Sequence, residues 1–255
     1  PADTTGAATV TGLRPEAALV EYLESHGLGR LSRRLARSGV VEVAATAAPG
    51  IKDILVLGKV KQLERAGAAD LIVVDGPASG HAVSFLTSAS GLLGAVRSGP
   101  LRDQAEEVQD MLTDPDRCQV LLVTLAEETP VNEVAETAFM LEDRAGVTLA
   151  PVVVNRLDPT VEGLDADPAT EAEGRGLVLP PGEAEALAAA ARFRAERQEL
   201  QDGQVRRLGE VLPLAQLHLP ALPAVDIGPA QVDRLARALA SAVRELPQGP
   251  RAATR

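Results

Sequence analysis

Asp70-Leu-Ile-Val-Val-Asp75 runs directly into Gly76-Pro-Ala-Ser-Gly80-His81. Four apolar residues, three of them β-branched, stand between two acids. Such a run predicts a strand buried on both faces of a parallel sheet. The glycines and proline after Asp75 predict a tight loop, with a helix from Ala82 to Ser88. An aspartate at the end of a buried strand is a group that nucleotide hydrolases place beside magnesium, where it accepts hydrogen bonds from metal-bound water. Glycines after it let the backbone approach a phosphate closely. The same spacing equally suits an ordinary strand-end aspartate that caps the next helix.

Working outward, the alternation of strand and helix repeats. Gln119–Thr124 and Leu149–Asn155 read as strands, and Leu214–Leu219 as a further one. Thr129-Pro130 begins a helix reaching Arg144, with a hydroxyl cap and proline in its first turn. Leu101–Leu112 and Glu183–Glu210 are also predicted helical. Pro229 opens a last amphipathic helix, in which Val232, Leu235, Ala236, Leu239, Val243 and Leu246 form one apolar stripe. Upstream, Pro15–Arg65 reads as helices punctuated by glycine, the last from Ile51 to Arg65. Asp158–Gly182 is acidic, holds four prolines and lacks periodicity, so it reads as a surface insertion. The tail 247–255 reads as disordered. The fold class is therefore α/β, a mostly parallel sheet flanked by helices. In such sheets ligands bind outside the carboxyl ends of the strands. Those ends carry Asp75, Thr124 with Glu127 and Glu128, Asn155-Arg156, and Pro220-Ala-Leu222-Pro223.

Composition narrows the function. The chain has 255 residues, 45% hydrophobic and 2% aromatic, with a formal charge of −11. Net acidity excludes a general nucleic-acid surface, which needs a basic stripe. The cluster Arg30, Arg33, Arg34 and Arg37 reads as a solvated helix face. Cys118 is the lone cysteine, which excludes an intrachain disulfide and a cysteine-based zinc site. There is no apolar run of about twenty residues, so direct membrane insertion is not expected and the chain reads as soluble and cytoplasmic. Of three histidines, His26 reads as a helix-end residue and His218 as structural. His81, in its glycine-bearing loop, reads as the functional one.

In their order along the chain, several segments resemble the arsenite-transporting and tail-anchored-protein-targeting (ArsA-like) ATPases. Val73-Val-Asp-Gly-Pro-Ala-Ser-Gly-His81 resembles that family's second switch. Ala48-Pro-Gly-Ile-Lys-Asp53 resembles its Pro-Gly helix start, with Lys52 where the family often has an acid. Leu121-Leu-Val-Thr-Leu-Ala-Glu-Glu-Thr-Pro-Val-Asn-Glu-Val134 resembles its strand and Glu-rich helix. Val152-Val-Val-Asn155-Arg156 resembles the strand whose Asn contacts adenine. Leu217-His-Leu-Pro-Ala-Leu-Pro223 resembles the proline segment beside the base. The resemblance implies a P-loop NTPase fold of the SIMIBI type in a single domain over 1–255, a dimer, and ATP with Mg2+ as ligands. It implies Asp75 beside the magnesium waters. Gly76, Gly80 and His81 would form a switch that senses the γ-phosphate. Asn155 would hydrogen-bond adenine, Arg156 would stack on it or pair with a carboxylate, and Pro220, Leu222 and Pro223 would wall the pocket.

The phosphate-binding loop G-x-x-x-x-G-K-[ST] is nowhere in the chain. Gly58-Lys59 fails as one, because Asp53 stands at the first glycine position and Val60 follows. Gly76-Pro-Ala-Ser-Gly80 places its serine one residue too late for a hydrolase nucleophile elbow. Relative to the family, the first strand is missing. Two accounts follow: a fragment of a complete ATPase, or a non-catalytic subunit paired with a loop-bearing homologue. The family's paired-cysteine zinc site is also missing. With Met111 and Met140 as the only methionines, a Met-rich client groove is not expected.

Overall fold

A computed structural model describes residues 9–25 and 50–246. The basic cluster Arg30–Arg37, His26, Ala48-Pro49 and the tail 247–255 lie outside the described residues. The structure divides into two compact units, Pro1–Val120 with Phe139–Thr148, and Leu121–Ala138 with Leu149–Arg255.

The described secondary-structure elements of the first unit are mostly helices. It holds α1 (Pro15–Ser25), α2 (Ile51–Arg65), α3 (Ser79–Leu86), α4 (Ser88–Ala95) and α5 (Pro100–Thr113), and includes the π-helical turn Leu141–Ala145. Ile54, Leu55, Leu57 and Val60 recur on α2 at helical spacing and are buried, as are Ala105, Val108, Met111 and Leu112 on α5. Pro100 occupies the first turn of α5, where its missing N–H costs nothing. Lys61 is buried on α2. It donates to Gln104 Oε1 at 3.0 Å and pairs with Glu107. Gly58, which fails as a phosphate-loop glycine, has a packing role instead. A Cβ there would fall 1.8 Å from Gln104 Nε2, so the glycine makes room for the Gln104 amide.

The second unit carries a three-stranded parallel sheet, β1 (Val123–Leu125), β2 (Val152–Leu157) and β3 (Gln216–Pro220), in the order β1-β2-β3. Its helices are α6 (Glu128–Met140), α7 (Pro168–Gly174), α8 (Glu183–Val211) and α9 (Pro229–Glu245). Val152, Val153 and Val154 are all buried, as a central strand between two layers requires. Val131, Val134 and Ala138 of α6 and Leu208 of α8, with Leu212 just beyond, pack on Val152 and Val154. Within the stretch read as an acidic insertion, Asp167 caps α7 by accepting from the Thr170 N–H at 2.9 Å.

One expected element is absent. Asp70–Asp75 joins no strand ladder among the described residues, and Leu71 and Val73 are 77% and 82% exposed. The run has the composition of a buried strand. A strand also needs a neighbour to hydrogen-bond, and the described residues supply none. A small α/β fold with a parallel sheet is what the sequence led one to expect. Among the described residues the sheet has three strands, one fewer than expected.

Leu208 is fully buried in the core of the second unit. Leu208→Ala is expected to destabilise that unit by about 3 kcal/mol, read as a lowered urea midpoint.

Candidate functional site

β2 leaves the sheet through an irregularity. Val154 pairs with His218 and Leu157 with Pro220, so the register shifts across Asn155-Arg156. The backbone absorbs the shift at Arg156, whose φ is +58°; it is the only non-glycine residue with positive φ among those described. That left-handed conformation costs an ordinary side chain roughly 1–2 kcal/mol. The Arg156 N–H then donates to its neighbour's Asn155 Oδ1 at 2.9 Å. This fixes the Asn155 amide and leaves its NH2 and one oxygen lone pair open, a donor and an acceptor side by side.

The same shift brings β3's end alongside. The Ala221 N–H donates to Leu157 O at 2.7 Å, which seats Pro220, Ala221 and Leu222 half-buried next to the turn, with Pro223 exposed. Asn155, Arg156, Pro220, Leu222 and Pro223 thus converge on one edge, at the carboxyl ends of parallel strands.

A set of residues that sequence reasoning missed holds this edge. Gln201 of α8 accepts from the Asp158 N–H at 3.0 Å, and its amide nitrogen lies 3.4 Å from Arg156 O. Gln198 accepts from the Val161 N–H at 3.1 Å, and Arg194 donates to Pro159 O at 2.7 Å. The Asp158 carboxylate, only 12% exposed, pairs with Arg197 at 2.5 Å and Arg194 at 3.2 Å. Burial pushes the Asp158 acid up, but the two guanidinium groups together outweigh it and hold it below the usual carboxylate range. The signal was present in Arg194, Arg197, Gln198 and Gln201, a polar stripe at spacings of three, four and seven on a predicted helix. By composition alone Asp158 opens a surface insertion.

The other candidates lie in the first unit. Asp75, Gly76, Gly80 and His81 are all exposed. The Asp75 carboxylate has no hydrogen-bond or ion-pair partner among the described residues. Neither Gly76 nor Gly80 has positive φ, and an added Cβ would meet nothing within 4 Å at either, so open space surrounds both. His81 sits in the first turn of α3, its N–H donating to Ala78 O at 2.8 Å. Its ring lies within electrostatic reach of Asp53, whose acid is raised chiefly by burial while His81 and Lys52 pull it down. An open cleft of about 420 Å³ begins at Gly80 and is lined by Ser84, Thr87, Ser90 and Arg144. Each of those hydroxyls donates to a helix carbonyl, at 2.9, 2.7 and 3.0 Å respectively, so they face the cleft as acceptors.

Among the described residues no three His, Cys, Asp or Glu side chains cluster as a metal site. Asp75 alone offers one hard-oxygen group. That suits magnesium only where phosphates and water complete its shell.

No family model matches the chain. The chain is similar to the ATPase BagA of Mycobacterium tuberculosis (strain ATCC 25618 / H37Rv), 36% identical over 168 residues, which covers 62% of this chain and 48% of that protein. The protein Mb3704 of Mycobacterium bovis, whose name gives it only provisionally as an ATPase, matches with the same identity and coverage. The chain therefore spans about half the length of the curated relatives it matches. These similarities support an ATPase family.

At position 156, glycine adopts positive φ without strain and a β-branched residue does so worst. Arg156→Gly is expected to leave stability within about 0.5 kcal/mol, while Arg156→Val loses about 2 kcal/mol, both measured by urea titration. The depressed Asp158 acid makes its contribution complete above the unfolded carboxyl value of about 3.9. That contribution is lost as pH falls through the lower folded value. The stability difference between the wild type and Asp158→Asn should therefore shrink on acidification below about pH 4 and stay flat from there to neutrality.

Proposed function

We propose that this chain supplies the base-reading and phosphate-sensing parts of an ATP-hydrolysing switch protein of the arsenite-transporting and tail-anchored-protein-targeting class. One observation supports this above the others: the Asn155-Arg156 turn and the Pro220–Pro223 segment stand at the carboxyl ends of adjacent parallel strands, with the Asn155 oxygen accepting from the Arg156 N–H. A paired donor and acceptor against an apolar wall is the chemistry that recognises a purine edge. In this reading Asn155 bonds adenine, Arg156 covers it, and Pro220 to Pro223 form the wall. Asp75 accepts from a magnesium-bound water, and Gly76, Gly80 and His81 respond to the γ-phosphate. Bound magnesium would supply charge neutralisation at the phosphates.

The chain contains no lysine-bearing phosphate loop. In this reading that loop comes from further polypeptide or from a loop-bearing homologue, with the functional state a homodimer or heterodimer. The exposed, unpaired Leu71–Val74 run favours completion by another segment.

ATP hydrolysis by the protein together with its loop-bearing polypeptide is the test. Asp75→Asn should lower turnover by about a hundredfold, the scale of a lost electrostatic stabiliser, with ATP affinity nearly unchanged. Undiminished turnover in that variant would remove Asp75 from the mechanism.

A further inference from the structure

We infer that Gln201, with Arg194, Arg197 and Gln198 on the same face of α8, is a positioning clamp that holds the Asn155-Arg156 turn in its base-reading shape and so sets the preference for adenine over guanine. The inference rests on the base-reading role proposed for Asn155.

The turn does not hold itself. Asn155-Arg156 contains no glycine, yet Arg156 stands at φ +58°. A strained conformation persists only where its surroundings over-determine it. Here they do. Backbone groups of Arg156, Asp158, Pro159 and Val161 each meet a side chain of α8. Gln201 is 8% exposed, and its one amide spans the chain on both sides of Leu157. Arg194 Nε is buried with no acceptor, so this guanidinium sits where the turn requires it at the expense of its own hydrogen bonding. The clamp is also anchored. Leu208, two turns further along the same helix, is fully buried against the sheet.

The chemical consequence lies in the Asn155 amide. Adenine presents an amino donor beside a ring acceptor on its pairing edge. Guanine presents a carbonyl acceptor beside a ring N–H donor. An amide free to flip satisfies either. An amide whose oxygen is pinned by the Arg156 N–H presents a fixed order of donor and acceptor, and only one purine matches it. The peptide that carries this N–H is held between Val154, paired in the sheet, and the Arg156 carbonyl, bonded by Gln201, so its orientation toward Oδ1 depends on the clamp. Releasing the clamp therefore releases the selectivity.

The test compares wild type, Gln201→Leu and Gln198→Ala. Leucine keeps the volume and removes both hydrogen bonds. ADP and GDP affinities of the protein together with its loop-bearing polypeptide are measured by calorimetry, and exchange protection of the Asp158 and Val161 amides by NMR. For Gln201→Leu, ADP is expected to bind about tenfold more weakly, because apparent affinity scales with the population of the competent turn. The ADP-over-GDP preference should fall by a similar factor, and the Asp158 amide should lose protection. Gln198→Ala should expose the Val161 amide and move the preference in the same direction by less. It carries the test if Gln201→Leu does not fold. A merely structural role would change stability without changing the ADP-to-GDP ratio. An unchanged ratio in a variant whose amide has lost protection overturns the clamp. Absence of purine binding by the wild type overturns the base-reading role, and the clamp's purpose with it.

Discussion

Val152, Val153 and Val154 must be buried on both faces of the sheet while pairing on both edges, and the second unit is arranged around that demand. Three consecutive β-branched residues suit it, because side chains alternate between faces and both faces are covered. The first polar residue after them, Asn155, cannot continue the pattern. On the β3 side the ladder breaks there and resumes at Leu157, while Asn155 still pairs with Leu125 of β1. The irregularity is thus a consequence of the core's limit. It falls at the carboxyl end of the central strand, where α/β sheets place their ligands. A bulge at that point re-aims a side chain without disturbing the strands beneath it.

α8 ties the two regions together. It is a single helix of 29 residues, Glu183–Val211. Near its carboxyl end it packs Leu208 into the core, and in its middle it holds the turn through Arg194, Arg197, Gln198 and Gln201. A continuous helix has no soft joint between those stretches, so the turn's geometry is referred to the sheet itself. Core packing and site geometry are therefore one mechanical object in this unit, and loosening either is felt by the other.

What the sequence made legible follows the range of the interactions. The helix start at Pro229 was readable because proline's fixed φ is local. The strands at Val152 and Gln216 were readable because their apolar runs are local too. Asn155 and Pro220 to Pro223 were legible as strand ends, and the pairing of Leu157 with Pro220 sets those ends on adjacent strands. The left-handed Arg156 was not, because nothing in Asn-Arg demands it; the demand comes from α8, 35 to 45 residues away. Asp158 looked solvated by composition and is enclosed by two arginines instead. Asp70–Val74 shows the opposite error. Its composition describes fitness to be a strand, whereas being one is a relation to a second segment.

That relation bears on Asp75. Burying Leu71 and Val73 would each contribute roughly 1.5–3 kcal/mol, which the described structure forgoes. A row of unpaired backbone groups beside them is a template for pairing. The aspartate at the end of this run is exposed, and a carboxylate in open water does little for a developing charge. If a strand bearing the phosphate loop pairs with this run, it covers Leu71 and Val73, fixes the backbone at Asp75 and brings the phosphates to it in one step. In the function proposed here, assembly and activation are then the same event. Asp75 would stay inert until the chain that needs it is in place.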